Sequence, residues 1–90
     1  MRQCMDSENL HRRIHRIIGQ LNAIDKMIDE DIPCEDILIQ VNAVKGATHK
    51  VGQIIFEGHI NHCVKEGLEH GDFDRTIGSL TKAVEQFSKI

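Results

Sequence analysis

The sequence predicts an all-α fold of three helices, an antiparallel helix hairpin followed by a short C-terminal helix. Apolar residues recur at alternating spacings of three and four along most of the chain, which places them on one face of a helix. The only proline, Pro33, separates the first two apolar series. No stretch alternates apolar and polar residues as a half-buried strand does, so we expect one helical domain over residues 1–90.

The first helix is predicted over about residues 7–30, and its apolar residues continue as far as Ile28. Asp6 or Ser7 can cap its start by accepting hydrogen bonds from free backbone N–H groups of the first turn. The residue before Pro33 is steered out of helical geometry by the proline ring, so the helix ends before that point.

The second helix is predicted over about residues 33–68, because Pro33 suits a first helical position and no residue after it breaks a helix more strongly than glycine. Such a helix is roughly 50 Å long, whereas a compact globule of this size is only roughly 30 Å across. Its apolar residues continue to both ends, so we expect it to pack antiparallel against a second copy of itself.

The third helix is predicted over about residues 73–89, after a turn at Gly71 and Asp72. Asp72 is the expected cap of this helix. Its apolar residues keep the helical spacing of the first two series.

Composition narrows the class of protein. Apolar residues make up 40% of the chain and charged residues 28%, as in ordinary globular proteins. No apolar run approaches the roughly 18 residues of a membrane span, and the first residues lack a signal-peptide pattern. We therefore predict a cytoplasmic protein without a membrane partner. The sequence shows no catalytic nucleophile paired with a general base and no phosphate-binding loop. We therefore expect neither an enzyme nor a small-molecule substrate.

Three cysteines and six histidines are unusually many soft or borderline metal ligands for 90 residues. His59 and Cys63 are four residues apart on the second helix, a spacing that lets both side chains reach one metal ion. Cys34 lies in the first turn of the same helix, roughly 38 Å away along its axis. Within one chain these three residues cannot share a metal.

An antiparallel pair of second helices changes this geometry. If Cys34 of one copy lies opposite a point between His59 and Cys63 of the other, facing residue numbers sum to about 95. The two-fold axis then passes close to small residues that let the helices approach, namely Ala43, Gly46, Ala47 and Thr48. Each dimer would hold two equivalent sites.

Two thiolates and an imidazole form a soft, three-coordinate set that favours Cu(I). A structural Zn(II) site would need a fourth ligand, which His62 or Cys4 could supply. The alternative is that Cys34 and Cys63 are small buried apolar residues and His59 is a satisfied core histidine. Spacing alone leaves these interpretations open.

Basic residues are segregated although the net charge is −3. Residues 9–24 and 37–56 contain no acidic side chain, and a hairpin brings these two stretches together. The basic side chains of the two stretches would then form one patch that can contact nucleic-acid phosphates. The alternative interpretation is a solvated surface that binds no nucleic acid. No short helix-turn-helix pair is visible. The basic residues are Arg12, Arg13, Arg16, Lys45 and Lys50.

Nearly the whole chain resembles the copper-sensing operon repressors, which are grouped with nickel/cobalt and formaldehyde sensors (CsoR/RcnR/FrmR). The matching stretches are Arg13-x-x-Arg16-Ile-x-Gly19-Gln20, Cys34 with Glu35-Asp36-Ile37-Leu38, Gln40 through Val44-Lys45-Gly46-Ala47, Gly58-His59-Ile60, and Cys63-Val64.

The resemblance implies a dimer-of-dimers tetramer that binds double-stranded operator DNA without effector and is released when effector occupies an inter-subunit site. It implies that Cu(I) is held by Cys34, His59 and Cys63. It also implies DNA-facing roles for Arg13, Arg16, Gln20 and Lys45. Arg12 and Lys50 join that surface from the charge pattern alone.

Other members of the same family sense persulfide, nickel/cobalt or formaldehyde. Formaldehyde sensors usually keep the first cysteine and lack the second, so Cys63 argues against that effector. Persulfide sensors need no metal and would use Cys34 and Cys63 to form sulfur bridges, but such relatives typically lack a histidine at the position of His59. Nickel/cobalt sensors prefer His where this chain has Cys63 and recruit an N-terminal ligand, for which Cys4 is the candidate.

Copper-sensing relatives also commonly carry a Tyr before the first Cys and a Glu on the third helix. Here Pro33 takes the first place, and the chain has no Tyr.

Overall fold

The computed structural model describes residues 5–90, so Cys4 lies outside the described residues. Helices and turns account for this part of the chain, which contains no strand, and the predicted all-α class is confirmed. No helix within it is both long and apolar enough to cross a lipid bilayer. The helices are α1 (Ser7–Ile28), α2 (Cys34–Gly58), a π-helical segment (His59–Val64), α3 (Lys65–Glu69) and α4 (Phe73–Phe87).

The stretch predicted as one helix over residues 33–68 is thus three successive helical segments. Its start lies one residue later than expected, because the Pro33 carbonyl accepts the backbone N–H of Asp36 at 3.0 Å and that of Ile37 at 3.3 Å. Pro33 is therefore the residue that caps the helix, and Cys34 is the first helical residue. Within the stretch, backbone bonding changes to the i→i+5 pattern of a π-helix over residues 59–64.

Residues 7–51 form one compact unit that contains α1 and most of α2. Leu10, Ile17 and Ile24 are buried and lie seven residues apart, which places them on one stripe of α1. Val51 is the buried residue of α2. Residues 29–33 connect the two helices of this unit, and their antiparallel pairing as a hairpin stays a prediction.

The second compact unit comprises residues 52–90 together with Met5 and Asp6. It contains the end of α2, the π segment, α3 and α4. The Phe56 and Phe87 rings stack with centroids 4.8 Å apart and planes 3° from parallel. Val64 and Thr76 are its buried residues at 7% and 6% exposure, so the interior of this unit is small.

A glycine-terminated turn ends α3. The backbone N–H of Asp72 donates to the Gly67 carbonyl at 3.0 Å and that of Gly71 to the Leu68 carbonyl at 3.1 Å, the paired bonds of a Schellman motif. Gly71 has a φ of 75°, which a residue without a Cβ adopts without strain. Asp72 precedes α4 as predicted, but its side chain makes no capping hydrogen bond; its carbonyl instead accepts the Thr76 N–H at 3.1 Å.

Close packing of α3 against α4 at Gly67 gives a stability prediction. A Cβ at Gly67 would overlap Thr76 Oγ1 and lie 3.1 Å from both Cβ and Cγ2 of Thr76. Because Thr76 is buried, we expect Gly67→Ala to lower the free energy of unfolding by about 1–3 kcal/mol. Thermal and denaturant unfolding followed by circular dichroism measures this loss. The control is Gly78→Ala on α4, where a Cβ meets nothing within 4 Å and stability should be kept or raised.

Candidate metal centre

The π segment carries two of the three predicted metal ligands, His59 and Cys63. Both side chains are half-buried. Together with Ser79 of α4 they line an open cleft of about 990 Å³ in the second unit. π-Helical turns are rare and are frequently found at functional sites.

A hydrogen bond ties His59 to α4. Its Nε2 atom lies 3.1 Å from the Ser79 hydroxyl oxygen, within the usual range for such a bond. The described part of the chain supplies no hydrogen-bond partner for Nδ1 of the same ring. His59 therefore has one nitrogen engaged and one available for a metal ion.

Cys63 lies beside a second histidine. Its sulfur is 3.9 Å from Nδ1 of His62, and Nε2 of His62 is 3.4 Å from a carboxylate oxygen of Glu66. The His62 and Glu66 side chains are about half exposed, so their ion pair, which forms only when His62 is protonated, contributes little to stability. Cys63 takes part in a disulfide in this structure, so its sulfur must be reduced before it can bind a metal as a thiolate.

Cys34, the third predicted ligand, is an exposed free thiol at the start of α2. Glu35 and Asp36 come directly after it in the first turn. No group of three or more Cys, His, Asp or Glu side chains within residues 5–90 is arranged to hold a metal ion. Cys34 lies in the compact unit of residues 7–51, whereas His59 and Cys63 lie in the other unit, and a site shared between subunits stays a prediction. The donor chemistry of sulfur and imidazole fits a soft metal.

Arginines predicted to face DNA line a small cleft on α1. Its volume is about 110 Å³, and Asn9, Arg12, Arg13 and Arg16 surround it. Arg12 and Arg16 are exposed, whereas Arg13 is half-buried. The Nε atom of Arg13 is buried without a hydrogen-bond partner among the described residues. A buried unpaired donor costs free energy.

The remaining predicted DNA-facing residues lie in the same unit, residues 7–51. Gln20 of α1 is half-buried, and its Oε1 atom also has no partner in the described part of the chain. Lys45 and Lys50 are exposed on α2. These two lysines do not line the arginine cleft.

Two parts of this site were missed by sequence reasoning. The π segment carries no breaker residue, and its His59–Cys63 spacing is equally compatible with an α-helix. Ser79 is an exposed serine twenty residues from its histidine partner, so neither periodicity nor local spacing points to it. The one signal in the sequence was indirect, because Glu85 is the only glutamate of the third helix and it aligns poorly with the glutamate that the resemblance implies there.

The sequence is similar to those of known metal-sensitive transcriptional repressors. A family model described as "Metal-sensitive transcriptional repressor" matches residues 6–90. The copper-sensing transcriptional repressor CsoR of Bacillus subtilis (strain 168) is 33% identical over 84 residues, which cover 93% of this chain and 83% of that protein.

Two solved structures of metal-responsive regulators also match this chain. The nickel-responsive transcriptional regulator InrS superposes with a TM-score of 0.84 at 30% identity, covering 97% of this chain and 98% of that one. The copper-sensing repressor CsoR with Cu(I) from Geobacillus thermodenitrificans NG80-2 superposes with a TM-score of 0.83 at 34% identity, covering 90% of this chain and 84% of that one.

Proposed function

The chain belongs to the family of metal-sensitive transcriptional repressors, and from that membership we propose that it is a Cu(I)-responsive repressor. Its relatives are transcriptional repressors rather than enzymes. In this proposal the protein binds operator DNA in the metal-free state and releases it when Cu(I) binds. What supports the choice of metal is the proposed donor set of two cysteine sulfurs and one imidazole nitrogen.

Cu(I) would be held by Cys34 of one subunit together with His59 and Cys63 of another. Cys34 is exposed and so accessible to a second chain, and His59 and Cys63 line an open cleft. Sulfur and imidazole ligands suit Cu(I), which accepts a low coordination number. The ion would supply only the coordination bonds that hold Cys34 of one subunit close to His59 and Cys63 of the other.

Exposed apolar side chains support assembly of more than one chain. Leu38 and Ile39 of α2 are 66% and 62% exposed, and Phe73 of α4 is 59% exposed. Large apolar side chains left in water are normally covered by a partner. We propose that antiparallel pairing of α2 covers part of this surface and that two dimers then form a tetramer.

DNA contact is assigned to the arginine cleft of α1. Arg12, Arg13 and Arg16 surround one cleft, and the exposed guanidinium groups of Arg12 and Arg16 can donate to phosphate oxygens. Gln20, Lys45 and Lys50 extend this surface in the proposal. Each subunit would carry one copy of this surface. A metal-induced change in how the subunits are arranged would alter the distance between the copies and so weaken DNA binding.

Nickel is the second candidate effector, because the structure of a nickel-responsive regulator matches 97% of this chain. Nickel(II) is a harder ion that suits imidazole and oxygen ligands, whereas thiolates favour Cu(I). The two cysteines therefore favour copper.

Titration of the reduced wild-type protein on DNA from upstream of its own gene tests this proposal. We expect tight metal-free binding, followed by release at one Cu(I) per subunit, as measured by fluorescence anisotropy of labelled DNA. Ni(II) and a polysulfide are added in parallel under the same conditions. Release by Ni(II) or by polysulfide but not by Cu(I) would overturn the copper assignment, and absence of salt-dependent DNA binding would overturn the repressor assignment.

A further inference from the structure

We infer that His11 and His15 of α1 form a second metal site, which takes a divalent ion of borderline softness such as Zn(II) or Ni(II). Both histidines belong to the compact unit of residues 7–51, whereas His59 and Cys63 lie in the other unit. An ion bound to the pair strengthens DNA binding. This last step rests on the proposed function, in that it takes the arginine cleft of α1 as the DNA-facing surface.

The two histidine rings lie close enough to share one ion. Their positions four residues apart put both side chains on one face of α1, and their ring centres are 6.2 Å apart. A metal–nitrogen bond of about 2.1 Å and a ring radius of roughly 1.1 Å on each side let one ion bridge ring centres up to roughly 6.4 Å apart. The pair is therefore within chelating distance without any change in the helix.

Both imidazole rings are available to a ligand from solution. The two side chains are exposed, and neither ring makes a hydrogen bond or an ion pair with any of residues 5–90. Imidazole nitrogen suits Zn(II) and Ni(II), whereas sulfur ligands favour Cu(I), so the pair selects a different class of ion from the candidate metal centre. An ion held by two imidazoles keeps open coordination positions for water or another oxygen ligand.

The pair lies next to the arginines that line the α1 cleft. Arg12 follows His11 and Arg16 follows His15, so a step of about 100° around the helix separates the histidine face from the arginine face. Arg12 and Arg16 are exposed, so water and salt screen their repulsion of a bound cation. A DNA phosphate attracted by these arginines can occupy an open position on the ion, and the ion adds positive charge to the same surface.

Zinc titration tests the site directly. The full chain carrying Cys34→Ala and Cys63→Ala is used, because it lacks the thiolates that would compete for Zn(II). At about pH 8, above the ordinary titration range of imidazole, calorimetry should show one Zn(II) per chain, and histidine NMR should show shifts of the His11 and His15 rings. His11→Gln or His15→Gln should weaken binding by more than about tenfold, since even outer-sphere changes cost about 10–100-fold.

His49→Gln in the same background is the matched control. His49 is an exposed histidine of α2, and no His, Cys, Asp or Glu lies within four residues of it along the chain. Its replacement removes one imidazole without touching the pair, so the affinity for Zn(II) should stay unchanged.

Anisotropy of labelled DNA from upstream of the gene tests the effect on DNA binding in the same background. Zn(II) should tighten binding by about 3–10-fold and steepen the slope of log affinity against log salt by about 1, because one phosphate contact is added. The double variant His11→Gln with His15→Gln should show neither effect.

The outcomes distinguish this inference from the proposed function. Equal Zn(II) affinity with and without the two histidines would overturn the site, and zinc binding at the pair that leaves DNA affinity unchanged would overturn its effect on DNA. A protein that binds no DNA would overturn the repressor assignment, while the zinc titration still decides whether the pair binds metal. Because both histidines are exposed, their variants are expected to fold, which circular dichroism checks.

Discussion

Replacing Cys34 with alanine is expected to weaken Cu(I) binding by more than about 100-fold, since even outer-sphere changes at metal sites cost about 10–100-fold. Cys63→Ala should have an equal effect. Neither variant should release DNA when Cu(I) is added. Chelator competition and DNA anisotropy measure the two consequences, and a Cys34→Ala protein that still releases DNA at the wild-type Cu(I) concentration would contradict the site.

Mixing the two variants tests whether the ligands come from different subunits. In a heterodimer of Cys34→Ala and Cys63→Ala chains, one site receives both intact cysteines and the other receives neither. Two affinity tags allow the heterodimer to be purified after co-expression. We expect it to bind Cu(I) with wild-type affinity at about half the wild-type stoichiometry, because one of its two equivalent sites is complete. A site confined to one chain would give no recovery.

Removing charge from the arginine cleft is expected to have the second large effect. Arg12→Ala combined with Arg16→Ala deletes two exposed cations beside the buried Arg13 Nε atom. If both contact phosphates, DNA affinity should fall by about 10–100-fold, and the slope of log affinity against log salt should decrease by about 2. Anisotropy titrations at several salt concentrations provide both quantities.

A double variant that removes two other cationic side chains is a control with the same loss of charge. Lys82 of α4 and Lys89 near the end of the chain are exposed and lie in the other compact unit. Lys82→Ala with Lys89→Ala should leave the salt slope unchanged. Equal losses in the two double variants would show that total charge, rather than the α1 surface, controls DNA binding.

Helix positions could be predicted from the sequence because apolar spacing and Pro33 act locally. Buried Leu10, Ile17 and Ile24 lie on the face that the periodicity of the first helix predicts. The resemblance to copper-sensing repressors is confirmed at the level of the family. These features depend on short-range patterns, which a sequence displays directly.

Other features depend on packing that no local pattern encodes. The π segment ends at the buried Val64, and Gly67 shortly after it packs closely against Thr76 of α4. Ser79 bonds a residue twenty positions away. Asp72 shows the same limit on a smaller scale, because its position before α4 was predicted whereas its side chain makes no cap. The subunit pairing stays a prediction, since it involves a second chain.

The π segment also determines the rotational phase of the helical residues after it. A π-helix has more residues in each turn than an α-helix, so the four-residue step from His59 to Cys63 covers slightly less than one turn. In an α-helix the same step would cover slightly more than one turn. The segment therefore sets the direction in which α3 departs and where Gly67 meets Thr76. The number of residues between His59 and Gly67, and not only their identity, is thus part of what specifies the centre.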